Sequence, residues 1–471
     1  MVEKEARGGP APTARYRDVP FALLFLLQLV AVAIVAIANG KRVSSQGLLP
    51  GAGIMSAGML RICTVACVVS AVFATCWLAL LRRHARSLIW LSAGSSVALY
   101  AATAIWLLTG HHGAATTVGL GLLAMAAAQC YYLYCVRERV AFSAVLLSTV
   151  ASLVQSHPAM LTVALAALVV CVLWIVVWSV AVACTLHARA LDVLRPSNGG
   201  GDDHVGYGAQ GGLVFLLVVS FYWTVHVVKN VVHVAVAGTV GSWYFLSPQA
   251  SADPTKRSLQ RALTTSFGSV CLGSLVVSVI RALRLGASAM SRRAGPGVVR
   301  SCLLCALGFL DVLVRFFNHY AFTHVALYGK HFTSASRDCW ALLVRCGVDV
   351  LVQKDMVGSV LAMGCLVGGL VNALCLGAWA RGFFHGDVHE WLPTAGLVFM
   401  IGAGAQLLVS SVVESAVSAL YVCYAEDPNA LATVNPELYA CFVNANHAVP
   451  LPAAQEEGAA PRARGPLAQA L

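Results

Sequence analysis

The sequence predicts an all-α polytopic membrane protein of about ten transmembrane helices, with one further amphipathic or re-entrant helix on the cytoplasmic side. Three observations carry this fold class. Hydrophobic residues make up 59% and charged residues 11% of the 471 positions, against roughly 45–50% and 25% in soluble globular chains. The apolar residues gather into long runs and the charges are swept into the gaps between them. Most runs reach the length of about 20 residues that crosses about 30 Å of hydrocarbon. A water-soluble fold has no way to cover that much apolar surface.

Taken in order, the first run is Val19 to Ala38. Asp18 as an N-cap and Pro20 just inside form an ordinary helix start, and the run's length, with no small-residue cleavage site ahead of a soluble domain, predicts a retained helix rather than a signal peptide. Ile62 to Leu81 and Ser87 to Thr109 follow, separated by Arg82, Arg83 and Arg86; then come Thr116 to Val136 and the short run Val140 to Val154. Pro158 predicts a tight external turn before Met160 to Ala183. The later runs are Gly212 to Val240, Ala262 to Ile280, Met356 to Ala380 and Leu392 to Tyr421. Small residues at Ser266, Ser269 and Gly273, and at Gly364 and Gly368, allow close helix packing in lipid or a sliding interface.

Lys and Arg set the orientation, because basic loops stay cytoplasmic; with the N-terminus inside, they favour the inner side about threefold. Both termini are therefore expected in the cytoplasm. The net charge of +11 reads as an orientation signal beside anionic lipid and calls for no nucleic acid. Ser301 to Tyr328 is apolar but carries Asp311, Arg315, Asn318, His319 and His324. Spanning would move Lys330, Arg337, Arg345 and Lys354 outside, so the basic-loop argument keeps it on the inner side. The resulting division is a cytoplasmic tail over 1–18, a ten-helix domain over 19–422 with cytoplasmic segments at 187–211 and 281–355, and a cytoplasmic tail over 423–471.

The sixteen cysteines avoid the predicted external loops, so they read as small apolar helix residues rather than a disulfide framework. Cys302 and Cys305 form a lone CxxC without a second pair, and His319, His324 and His331 have no helical metal-site spacing; no metal or other cofactor is expected. Phosphate-cradling Gly-rich loops, HExxH and GxSxG are all missing from the sequence, which argues against an ATP-driven pump and against an enzyme.

Lys229 is the foremost functional candidate. It lies inside the run FYWTVHVVKNVVHVAVAG, where an ionised side chain costs about 2.5–3.5 kcal/mol even on the lenient insertion scale. His226, Lys229 and His233 share a helix face, with Asn230 beside them. Glu414 is the one acidic residue deep inside any of the ten runs. A Lys229–Glu414 interaction is the simplest way to neutralise both, either as a pair fixing helix register or as part of a substrate or proton path. Tyr222 and Trp223, deeper than the belt-like Trp243, Tyr244 and Tyr131, are candidates for holding an organic cation by cation–π contact or for interfacial packing.

Five stretches, RYRDVPFALLFLLQLVAVAIVAI, FYWTVHVVKNVVHVAVAGTVGSWYF, KRSLQRALTTSFGSVCLGSLV, FNHYAFTHVALYGKHF and VVESAVSALYVCYAEDP, resemble in order the choline transporter-like family, and most of all its fungal pH-nine-sensitive branch. The resemblance runs from about Arg15 to Tyr439. It implies a ten-helix transporter-like fold with both ends cytosolic and residence in the plasma membrane. The gap between the first two runs is short where animal members carry a large glycosylated loop, and the N-terminal tail is shorter than in many fungal members. The expectation that follows is a transporter of a small polar or cationic solute, choline-like amines included, with a site near the bilayer midplane. That site would be formed by Lys229, Glu414, Tyr222, Trp223, His226, Asn230 and His233. A channel, a lipid scramblase or a non-transporting scaffold is the alternative; the expected partners are a small solute and the lipid bilayer.

Overall fold

The computed structural model describes residues 15–45, 57–109, 113–194, 203–246, 253–294, 298–346, 348–383 and 388–446. Among them all regular structure is helical. The helices are α1 (Val19–Ser45), α2 (Ala57–Thr109), α3 (Gly113–Val136), α4 (Val140–Ser156), α5 (Ala159–Leu194), α6 (Asp203–Phe245), α7 (Pro254–Leu263), α8 (Phe267–Ala294), α9 (Val298–Tyr328), α10 (Phe332–Cys346), α11 (Val348–Phe383), α12 (Val388–Glu426), α13 (Pro428–Val434) and α14 (Pro436–Asn446). Nine described segments are long and apolar enough to cross a membrane, and two of these, Arg61–Thr109 and Thr116–Ser156, each join two of the sequence runs. The fold is that of an all-α polytopic membrane protein.

A straight α2 would be about 80 Å long at 1.5 Å per residue, far beyond a bilayer. His84, with non-helical φ −129° and ψ 29°, breaks it. The arm before it packs Ile62 with Leu376 and Trp77 against Gly364, whereas Ser92 on the arm after it meets Ser359. The second arm has turned back along α11.

Contacts near the ends show which ends of the helices lie together. The Arg17 amide donates to the Thr265 carbonyl (3.1 Å), so α1 and α8 begin side by side. Gly241 of α6 sits against Leu327 near the end of α9, and the Tyr244 hydroxyl donates to the Asp427 carbonyl just past α12 (2.9 Å). The start of α1 and the end of α12 are thus at one end of the bundle. At that end Val234, Ala235, Val236, Ala237 and Val240 of α6 are all buried.

Two helices depart from the sequence expectation. Ser301–Tyr328 has the apolar length of a span and packs lengthwise against α6 and α8. On α6, His233 meets His319 and Gly241 meets Leu327, a constant parallel register; on α8, Arg281 meets Asp311 and Gly273 meets Asn318, an antiparallel one. Asp311, Asn318 and His319 find partners on α8, α6 and α12, which the one-dimensional charge count cannot see. Conversely α4, at 17 residues, is about 25 Å long, short of the hydrocarbon. Phe142 at its start packs on Tyr424 and Phe442 (5.8 and 5.5 Å between centroids), while Ser156 at its end shares a cavity with Trp243. Both ends of α4 are therefore at the terminus-bearing end.

The run expected over Ala262 to Ile280 is interrupted. Thr264, at φ −120° and ψ −87°, separates α7 from α8, and the Thr264 and Thr265 hydroxyls donate back to the Gln260 and Arg261 carbonyls, the competition with the helix ladder that such residues offer. α7 buries Thr255, Ser258 and Ala262, with Ser258 against Gly238 of α6. Asp18 does not act as a simple cap either. It stands at φ 51°, and its carboxylate accepts from the Ser269 hydroxyl (2.5 Å), the Phe332 amide (3.1 Å) and His331 Nδ1 (3.1 Å). Asp18 is a latch joining α1, α8 and the α9–α10 turn, where Gly329 takes φ 60°. α10 then folds back along α9, with Phe332 on Phe322 (5.4 Å) and Trp340 stacked on Phe317 (5.3 Å).

The small residues are sockets for rings. A Cβ at Gly273 would collide with Phe332 and Phe322, and one at Gly364 would sit 2.6 Å from the Trp77 ring. Such interdigitation favours fixed packing over the sliding surface that the small-residue faces also allowed.

Candidate functional site

A cavity of about 580 Å³ opens between α5, α6, α11 and α12. Half of its lining is Ala, Val and Leu, and three ionisable side chains face it: Lys229 from α6, Lys354 from α11 and Glu414 from α12, with the hydroxyl residues Ser410, Ser411 and Ser415 beside them. The cavity thus holds two ammonium groups and one carboxylate. No aromatic residue is among its described lining.

The expected Lys229–Glu414 pair is not made. Lys354 Nζ lies 4.0 Å from Glu414 Oε1, and both side chains are about one-third exposed, Lys354 at 34% and Glu414 at 39%. Lys354 also lies 5.1 Å over the Phe316 ring of α9. Sequence reading assigned Lys354 to a cytoplasmic segment because it falls two residues before the ninth run. The missed signal is that the helix starts at Val348, six residues upstream, so Lys354 lies inside it. The antiparallel α11–α12 hairpin then brings it level with Glu414.

The remaining candidates on α6 disperse to different neighbours. His226 Nδ1 is 2.6 Å from the Tyr222 carbonyl in its own helix. The Asn230 amide donates to Ser274 Oγ of α8 (2.8 Å). His233 Nε2 is 2.8 Å from the His319 carbonyl, with the two imidazole centroids 4.2 Å apart; His319 Nε2 is 2.5 Å from Ser418 Oγ, which donates to the Glu414 carbonyl. This chain of polar contacts links α6 through α9 to α12 behind the cavity. Only Lys229 and Glu414 of the seven expected site residues line the cavity itself.

The aromatic pair does not form a cation box. Trp223 is 4% exposed, its Nε1–H donates to the Cys271 carbonyl (2.9 Å), and it packs edge-on with Phe25 (5.3 Å). With its N–H satisfied and its ring enclosed, it behaves as a core anchor of the kind buried tryptophans commonly provide. Tyr222 points to the other end of α6, 6.0 Å beneath the Arg281 guanidinium. Among the described residues no cluster of metal-ligating side chains occurs, and the fourteen cysteines whose side chains are described, Cys302 and Cys305 included, are free.

Known proteins share this chain's sequence over most of its length. The "Plasma-membrane choline transporter" family model matches residues 120–429. A CTL-like protein of Dictyostelium discoideum is 29% identical over 444 residues, covering 92% of this chain and 76% of that protein. The protein PNS1 of Debaryomyces hansenii is 28% identical over 451 residues, 90% of this chain and 86% of its own. PNS1 of Yarrowia lipolytica is 29% identical over 353 residues, and the match spans 61% of that protein. The matched region, from within α3 past the end of α12, contains the whole cavity and every residue that faces it. The chain belongs to the plasma-membrane choline transporter family.

Proposed function

We propose that this chain transports a small polar solute through the cavity shared by Lys229, Lys354 and Glu414. Membership of a membrane-transporter family supports transport in general. The observation that carries the site is the placing of three ionisable groups on one cavity inside apolar helices, since intramembrane charges concentrate in solute and proton paths. Glu414 and the neighbouring serines would hold an ammonium or hydroxyl group of the solute, and the two lysines would hold a carboxylate or phosphate. A solute bearing both charges suits this lining better than a bare choline-like cation, which would meet a net positive charge and no aromatic face. Tyr222, Trp223, His226, Asn230 and His233 then act as supports for α6 rather than as ligands.

The same proposal fixes a topology of ten crossings, made by α1, the two arms of α2, α3, α5, α6, α8, α9, α11 and α12, with α4 and α10 confined to the terminus-bearing half. Lys256, Arg257 and Arg261 join the terminus-bearing side, while Arg189 and Arg195 of the 187–211 segment and Arg281, Arg284, Arg292, Arg293 and Arg300 leave it. The basic excess narrows but keeps its sign, which supports cytoplasmic termini; residence in the plasma membrane rests on the family's description alone.

The test is uptake by proteoliposomes containing the purified chain, with radiolabelled choline, a zwitterionic amino acid and a small carboxylate compared under imposed pH gradients. Saturable uptake that is lost in Glu414→Gln and in Lys354→Met supports the assignment. Saturable uptake unaffected by both changes refutes the site, and no uptake of any solute refutes transport.

A further inference from the structure

At the other end of α6 from the terminus-bearing face, three arginines converge on one carboxylate. Asp311 of α9, only 4% exposed, accepts from Arg281 Nε of α8 at 3.2 Å. It lies 3.8 Å from Arg284 Nη1 and 3.1 Å from Arg315 Nη2. Arg315 Nε also donates to the Asp311 carbonyl (3.2 Å). Beside this cluster is a cavity of about 340 Å³ lined by Tyr222, Arg281, Arg284, Leu285, Ser288 and Asp311.

A guanidinium stays protonated in proteins and carries five N–H donors. Three of them against one carboxylate leave a surplus of two positive charges, and most of their donors find no acceptor among the described residues. Burying Asp311 needs one good partner; three is more than neutralisation requires, and like charges held this close repel unless an anion sits between them. The geometry is also pre-set. Tyr222 lies under Arg281 with 6.0 Å from centroid to guanidinium carbon, and Arg284 lies flat against Gly308 of α9, 3.6 Å from where a Cβ would be.

We propose that this pocket is an anion site, distinct from the Lys–Lys–Glu cavity, that binds a phosphate-class oxyanion between Arg281 and Arg284. Planar, forked guanidinium groups are suited to tetrahedral oxyanions through paired hydrogen bonds. Inorganic phosphate in solution and the phosphate of a lipid headgroup both present this chemistry.

The experiment measures thermal unfolding of the full chain in phosphatidylcholine nanodiscs. One arm titrates inorganic phosphate against sodium chloride of equal ionic strength; the other replaces part of the phosphatidylcholine with phosphatidic acid. Expected is a saturable rise in Tm beyond the salt control in at least one arm. A rise with phosphate assigns a soluble oxyanion, and a rise with phosphatidic acid alone assigns the headgroup. Arg284→Gln removes the most weakly engaged of the three arginines, and should weaken the apparent affinity about tenfold, the scale of a hydrogen bond to a charged group. Ser288→Asp, which adds a negative charge to the lining while leaving all three arginines in place, should abolish the rise. No saturable rise in either arm, or an undiminished rise in Ser288→Asp, overturns the proposal.

Discussion

Replacing Asp18 with Asn isolates the charge of the latch that ties α1 to α8 and α10. Asn has nearly the same shape and tolerates the left-handed backbone at φ 51°, so neither packing nor strain should change. Its amide oxygen, placed where Oδ2 now lies, still accepts from Ser269 and the Phe332 amide. What is lost is the charge on those two bonds and on the hydrogen bond from His331 Nδ1, whose Nε2 lies 2.9 Å from an Arg17 nitrogen. Charge-assisted hydrogen bonds are roughly twice as strong as neutral ones, and each contributes about 1.5–3 kcal/mol. The side chain is only 15% exposed, so solvent screening is slight, and the expected loss is about 2 kcal/mol. Asp18→Ala should lose more, because a Cβ-bearing residue without a local hydrogen bond pays a further ~1–2 kcal/mol in the left-handed region.

The pH dependence has a definite sign. Burial raises the Asp18 pKa, but the Ser269 hydroxyl, the Phe332 amide and His331 together outweigh it and hold the carboxyl below its usual range. A depressed folded pKa means the stabilisation is fully present above the unfolded value, about 3.9, and is lost as pH falls through the folded value. Thermal unfolding of purified protein should therefore show a gap between wild type and Asp18→Asn at pH 7 that persists to about pH 5 and closes only below about pH 4. Equal stability at pH 7, or a gap that closes between pH 7 and pH 5, would refute the latch.

Three further outcomes follow from the same packing. A double-mutant cycle on Lys354 and Glu414 should give a coupling of about 0.5–1 kcal/mol, modest because both groups are partly exposed, while the Lys229–Glu414 cycle should be smaller; the reverse ranking would restore the pair expected from sequence. Gly273→Ala should cost about 1–3 kcal/mol by overpacking against Phe322 and Phe332, and unchanged thermal stability would show that the socket yields. Single cysteines introduced at Gln260 and Ser288 into a cysteine-free background should react with a membrane-impermeant maleimide from opposite sides, Gln260 sharing its side with Arg17; modification of both from one side would refute the ten-crossing arrangement.

Composition and run length determined the class of this protein without help from structure, because a bilayer imposes the same apolar length on every crossing wherever it sits in the bundle. The kinship was also legible, since the polar stretches around Lys229, His319 and Glu414 are what the family resemblance rested on, and Lys229 and Glu414 do face one cavity. Tertiary structure decided the rest. Whether a helix of ambiguous polarity crosses depends on who its neighbours are, and Asp311, Asn318 and His319 of α9 are satisfied by α8, α6 and α12, partners remote in sequence. The identity of Glu414's counter-charge depended on the register of the α11–α12 hairpin, which no local pattern encodes. Trp223 and Tyr222 are adjacent in the chain yet serve a buried core contact and an arginine cluster, because consecutive helical residues point about 100° apart and only the packing of α6 among α1, α8 and α9 fixes what each one meets.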